Sequence, residues 1–244
     1  QALSSNTSAS FNVANGHYAL FSNTTGADNT GLGVGALGAN TTASNNTAVG
    51  RSALEANTTG ANNTAVGHSS LLANTTGAEN VALGDASLQT NTTASYNTAV
   101  GRASLLLNTT GANNTATGYK ALRANTTASN NTAVGYSALL ANTTGDQNVA
   151  VGANAGLSVT TGVQNTLIGY LAGDALTDAD YNVALGATAL GADTLGSRAV
   201  AIGRNALSAQ NFTSATDNYN VAVGFSAGAA VTTGTNNTLI GALA

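Results

Sequence analysis

Two histidines, His17 and His68, are the chain's only imidazoles, and Ser69 and Ser70 follow the second. A serine beside a histidine is the start of a nucleophile and its base, but the imidazole then needs a carboxylate to orient it. No acidic residue stands in a motif with His68. Carboxylates gather instead at Asp174, Asp178 and Asp180, in "GDALTDADYN". A calcium loop alternates its oxygen ligands and closes on a glutamate, and this stretch does neither. The run "GLGVGALG", Gly31 to Gly38, has the glycines of a phosphate loop without the Lys and Ser/Thr that complete one. The commonest chemical signal is Asn-x-Thr. It recurs at Asn23, Asn40, Asn57, Asn74, Asn91, Asn108, Asn125 and Asn142, each a candidate glycan acceptor. The expectation is a protein that is no enzyme and carries no metal or cofactor.

Composition narrows the classes further. Of 244 residues, 7% are charged and 5% aromatic, and six lysines and arginines leave a net charge of −4. That is too little positive charge for a nucleic-acid groove or for a patch on anionic lipid. No apolar run is long enough for a transmembrane segment. Cysteine is absent, which removes disulfides and thiolate-bound metals. Much of the apolar fraction is alanine, so the expected core is thin and built from Ala, Val and Leu.

One repeat sets the elements that position these residues. From Gly16 a glycine recurs at Gly33, Gly50, Gly67, Gly84, Gly101, Gly118, Gly135, Gly152, Gly169, Gly186 and Gly203, always seventeen residues on. The next step, to Gly224, is twenty-one, and Gly241 restores seventeen. Four positions before the marker stands Asn12, Asn29, Asn46, Asn63, Asn80, Asn97, Asn114, Asn131, Asn148, Asn165, Asn182, Asn220 or Asn237, with Ala199 the one exception. Then come Thr or Val, Ala, and Val, Leu or Ile. After the marker stands Ala-Leu, with Gly156, Gly173 and Gly228 in the Leu position. "NTT" follows, and persists as far as Asn142.

A unit of seventeen is too short for a helical hairpin and too rich in Gly, Asn and Thr for a helix. It cannot bury an apolar face alone, but stacked units can. The spacing therefore predicts an all-β fold, a parallel β-solenoid or β-roll of about fourteen coils, with residues 1–244 forming a single tandem-repeat domain. At about 4.8 Å per coil it would run about 65 Å. Each coil is expected to hold two short strands, one at "TAVG" and one near "ALxANT". Leu and Val/Ile rows would form the core, the Asn row before TAVG a ladder of amides along the axis, and NTT the surface. His17 and His68, three coils apart, would be about 15 Å from each other and could not share an ion. The long interval, "RNALSAQNFTSATDNYNVAVG", places an inserted surface loop at 210–217, with Gln210, Phe212 and Asp217 as candidate contacts for a partner.

The stretch "SRAVAIGRNALSAQ", Ser197 to Gln210, resembles the head repeats of trimeric autotransporter adhesins, and similar runs occur in phage tail fibres and other bacterial surface proteins. The resemblance implies a left-handed β-roll, usually built by three chains side by side, in exported proteins that bind host or matrix surfaces. Without the insertion the two termini fall within about two residues of correct phase, as a head-to-tail array would need. The leading expectation is a structural subunit of an extracellular or cell-surface filament, a homo-oligomer or head-to-tail homopolymer. The alternative is an adhesin head, in homotrimeric form, binding a surface or glycan receptor.

Overall fold

The computed structural model describes residues 1–244, which divide into two compact units, Gln1–Lys120 and Ala121–Ala244. Each unit is a parallel β-solenoid with one coil per seventeen-residue repeat. The first carries β1 (Val13–Asn15), β2 (Thr30–Leu32), β3 (Thr47–Val49), β4 (Thr64–Val66), β5 (Val81–Leu83), β6 (Thr98–Val100) and β7 (Thr115–Thr117). Each pairs in parallel with the next, in unbroken register: Thr47 lies opposite Thr64, Ala48 opposite Ala65 and Val49 opposite Val66. The second unit carries β8 (Thr132–Val134), β9 (Val149–Val151), β10 (Thr166–Ile168), β11 (Val183–Leu185), β13 (Val200–Ile202), β15 (Val221–Val223) and β16 (Thr238–Ile240), paired in that order. A short second pair joins β12 (Gly196–Ser197) to β14 (Thr216–Asp217). No helix is long and apolar enough to cross a membrane.

Each regular coil holds one strand, where the repeat predicted two. The "ALxANT" limb alternates left-handed residues with right-handed ones, as at Ser52 (φ 56°) and Leu54 (φ 51°), and such a path is not extended. It still bonds coil to coil: the Leu54 N–H donates to Ser70 O at 3.0 Å and the Ala56 N–H to Leu72 O at 3.1 Å. A left-handed leucine costs about 1–2 kcal/mol. Full burial of its side chain contributes about 1.5–3 kcal/mol, so burial offsets the strain at Leu54, Leu71 and Leu88, all wholly buried.

The core is thinner than expected. Its rows are the strand alanine (Ala48, Ala65, Ala82, Ala99) and the turn Ala or Ser with its leucine. The Val, Leu or Ile before the marker points outward: Val66 is 37% exposed and Leu185 44%. Period-2 alternation sets the two end residues of a three-residue strand on the face opposite its middle one, and here the middle alanine faces in.

Core volume is conserved between coils by exchange. Where the NTT asparagine gives way to Val159, Leu176 or Val231, the leucine three residues earlier becomes Gly156, Gly173 or Gly228. Leu167 and Leu239 then stand where the strand alanine stood. A Cβ on Gly156 or Gly173 would lie 2.8 or 2.7 Å from a Leu167 methyl, and one on Gly228 2.8 Å from Leu239. A close-packed interior accepts such swaps only in compensating pairs. The marker glycine has a different cause. Gly67 sits at φ +139°, and a Cβ there would lie 2.5 Å from Gly84 O in the next coil. No other residue fits, so backbone contact fixes a glycine at the marker of each coil, at Gly203 as well, where the step to Gly224 is twenty-one and a Cβ would lie 2.3 Å from Gly224 O.

Candidate functional site

Two ladders of buried amides line the coils. In the first, each Asn before TAV accepts the N–H of its counterpart one coil on: Asn46 N–H to Asn29 Oδ1 at 3.0 Å, Asn63 N–H to Asn46 Oδ1 at 2.9 Å, Asn165 N–H to Asn148 Oδ1 at 2.9 Å. All of the row between Asn29 and Asn220 is buried, and Asn12 and Asn237 are half-buried. In the second, the NTT asparagines bond to one another: Asn57 Nδ2 donates to Asn40 Oδ1 at 3.0 Å and to Gly60 O at 2.9 Å. The ladders meet on one carbonyl, since Gly60 O also takes Asn46 Nδ2 at 3.0 Å.

This geometry corrects the surface placement of NTT. Asn23, Asn40, Asn57, Asn74, Asn91, Asn108, Asn125 and Asn142 are wholly buried. The atom that would carry a glycan is Nδ2, which sits inside the coil, bonded and without room. The first Thr of the limb donates along the axis, as Thr58 Oγ1 does to Thr75 O at 3.0 Å, and only the second, such as Thr59, is exposed. The ladder stops where its donors stop: Asn142 Oδ1 is buried with no hydrogen-bond partner, because Val159 follows in its phase.

The inserted segment lies at the surface, but two of its side chains turn inward. Gln210 is wholly buried and Phe212 is 5% exposed, packed over Gly196, so neither is a tip that a partner could grip. The buried Asp193 carboxylate gathers Gln210 Nε2 at 2.7 Å, the Phe212 N–H at 2.9 Å and the Gly196 N–H at 3.1 Å. The insertion also replaces the amide missing at Ala199. Asn218 Oδ1 accepts the Asn220 N–H at 2.9 Å and its Nδ2 reaches Ser197 O at 2.7 Å, so the first ladder resumes. The exposed tip is Asn211 and residues 213–215, while Asp217 is exposed and paired to Arg198 at 3.0 Å.

The residue after each marker forms an exposed row, and here the structure supplies a carboxylate that no local motif announced. His68 Nδ1 lies 3.1 Å from Asp85 Oδ1, Arg102 Nε lies 3.2 Å from Asp85 Oδ2, and Ser69 Oγ lies 3.3 Å from His68 Nε2. The hydrogen bond from His68, and after it the one from Arg102, hold the Asp85 carboxyl below its ordinary value. Serine, histidine and aspartate thus stand in triad order. However, Ser69 is 6% exposed, and the N–H groups of Ser69 and Ser70 already donate to Arg51 O and Gly67 O. An acyl-transfer site needs free donors for the oxyanion, and these are spent. The signal was present in the sequence as a spacing: His68, Asp85 and Arg102 are each seventeen apart.

The acidic stretch is engaged piecemeal. Asp178 accepts from Thr161 Oγ1 at 2.5 Å, Asp180 accepts the Val163 N–H at 2.8 Å, and burial pushes the Asp174 carboxyl up. No group of three or more His, Cys, Asp or Glu side chains converges as ion ligands would. The outward face of the strands carries Thr or Val and Val, Leu or Ile. No family model matches the chain, and no curated protein or solved structure matches it. What the adhesin-like motif implied about fold holds at the level of a parallel β-solenoid.

Proposed function

We propose that the chain is a structural subunit of an extracellular or cell-surface filament, with β-solenoid coils as its building material. The supporting observation is the self-complementarity of the coil. Each coil offers the next the same Asn, Thr and backbone acceptors that it uses on the one before, seventeen residues apart, as in Asn40, Asn57 and Asn74. Neutral amides rather than ion pairs carry the ladders, so the cohesion is little screened by salt. The resemblance to bacterial surface repeats supports the extracellular placement. Electron microscopy of the purified chain tests the proposal: filaments are the expected result, and dispersed particles at every concentration count against it.

A second reading, an adhesin head of side-by-side copies, is favoured by the outward strand face. Val66 and Leu83 on the first unit, and Val134 and Val151 on the second, are each 36–37% exposed, as neighbouring pairs on paired strands. Exposed aliphatic side chains on neighbouring strands suit a contact surface, and lateral packing of copies would cover them. Sedimentation separates the two, since a closed trimer has one fixed mass and a filament does not.

A further inference from the structure

Beside the filament reading, and independent of it, one notch on the first unit has the composition of a sugar site. Three successive coils build it. The first supplies Tyr18 and Phe21, whose rings meet edge to face with centroids 4.9 Å apart. The second supplies a floor of Gly35 and Gly38: the phase of Gly38 holds Phe21, Glu55, Leu72, Leu106 and Leu140 in other coils and glycine again at Gly191, while the phase of Gly35 stays small at Ser52 and Ser69. The third supplies Arg51 and Glu55. The result is a notch of about 550 Å³ with an aromatic wall, a glycine floor and an ionic wall.

We propose that this notch binds a neutral oligosaccharide, one pyranose lying against Tyr18 and Phe21 with its hydroxyls turned to Arg51 and Glu55. The His17 ring lies against Tyr18, centroids 3.9 Å apart, yet Tyr18 is 48% exposed, leaving the rest of its ring surface for the apolar C–H face of a sugar. Arg51 and Glu55 enter none of the three ion pairs of the chain, so donors and acceptors are free for adjacent hydroxyls. The Glu55 carboxylate leans over the floor, its oxygens 3.5 Å from where a Cβ on Gly35 would stand. Opposite charges on one wall favour a ligand without net charge, since an anionic sugar would meet Glu55. The volume lies within the range of small-molecule sites, about 300–1,000 Å³.

The test titrates the full chain with chitotriose and cellotriose, and with 3′-sialyllactose as the anionic counterpart, reading Tyr and Phe ring resonances by NMR. The proposal expects the Tyr18 and Phe21 signals to move with a neutral trisaccharide. Tyr18→Ala and Glu55→Gln should each weaken binding about tenfold, roughly 1.4 kcal/mol. Gly38→Leu, which installs the side chain that other coils carry there, should abolish it with thermal stability retained. Silence with both neutral sugars, a response to sialyllactose alone, or binding that survives Gly38→Leu would each overturn the proposal. Filament formation by Gly38→Leu is scored separately, so loss of the sugar site and loss of the filament are distinguished.

Discussion

Asn74 measures what one buried amide contributes. Its Nδ2 bonds Asn57 Oδ1 and Gly77 O, and its Oδ1 accepts from Asn91. Asn74→Val leaves Asn57 Oδ1 buried and unpaired, an expected loss of about 2–3 kcal/mol in chemical denaturation. Asn142→Val should cost less than half as much, because the Asn142 Oδ1 is already without a partner and the change removes that orphan along with the bond to Asn125 Oδ1. Equal losses at the two positions would refute the ladder account. Gly67→Ala meets both a forbidden φ and the Gly84 carbonyl, and should cost about 3 kcal/mol or more. The Asp85 cluster governs a smaller, pH-dependent term. Its pKa is depressed in the fold, so its contribution is full above the ordinary carboxylate range and is lost as the pH falls through the depressed value. Wild type should melt about 1–2 °C above Asp85→Asn at neutral pH, and the two melting curves should converge in strong acid.

At the scale of the coil, the period showed much and the phases showed less. The seventeen-residue beat, the parallel stacking and the amide row before TAV were legible, because a fixed period in one chain has few physical explanations. The outward turn of Val66 was not, because TAV reads as uniformly apolar until the short strand forces an alternation. The burial of Asn57 was missed for a similar reason, since polarity suggested a surface while the ladder supplied every partner. The link from His68 through Asp85 to Arg102 needed only the period applied to side chains. So did the exchange of Leu for Gly at Gly156 wherever a bulkier residue follows at Val159. That exchange predicts coupling. Leu167→Ala alone should cost about 3 kcal/mol, and Gly156→Leu alone about 1–3 kcal/mol by overpacking. The double variant should lose clearly less than their sum, as equilibrium denaturation of the three variants would show. Simple additivity would mean that the two sites do not share space.

At the scale of the molecule, the account rests on assembly. The outward Val and Leu side chains of the strands are exposed apolar surface, and lysines placed there should weaken side-by-side contact. Val66→Lys with Leu83→Lys is expected to reduce lateral association in sedimentation and to leave filament elongation intact. The amide ladders should keep filaments whole in 1 M salt, about 3 Å of Debye length. The central claim is tested most directly by cryo-electron microscopy of the purified chain, with the power spectrum read along the filament axis. The account predicts filaments with a meridional reflection near 4.8 Å, the coil-to-coil spacing. Discrete particles of fixed mass at every concentration, with no filament and no such reflection, would contradict it.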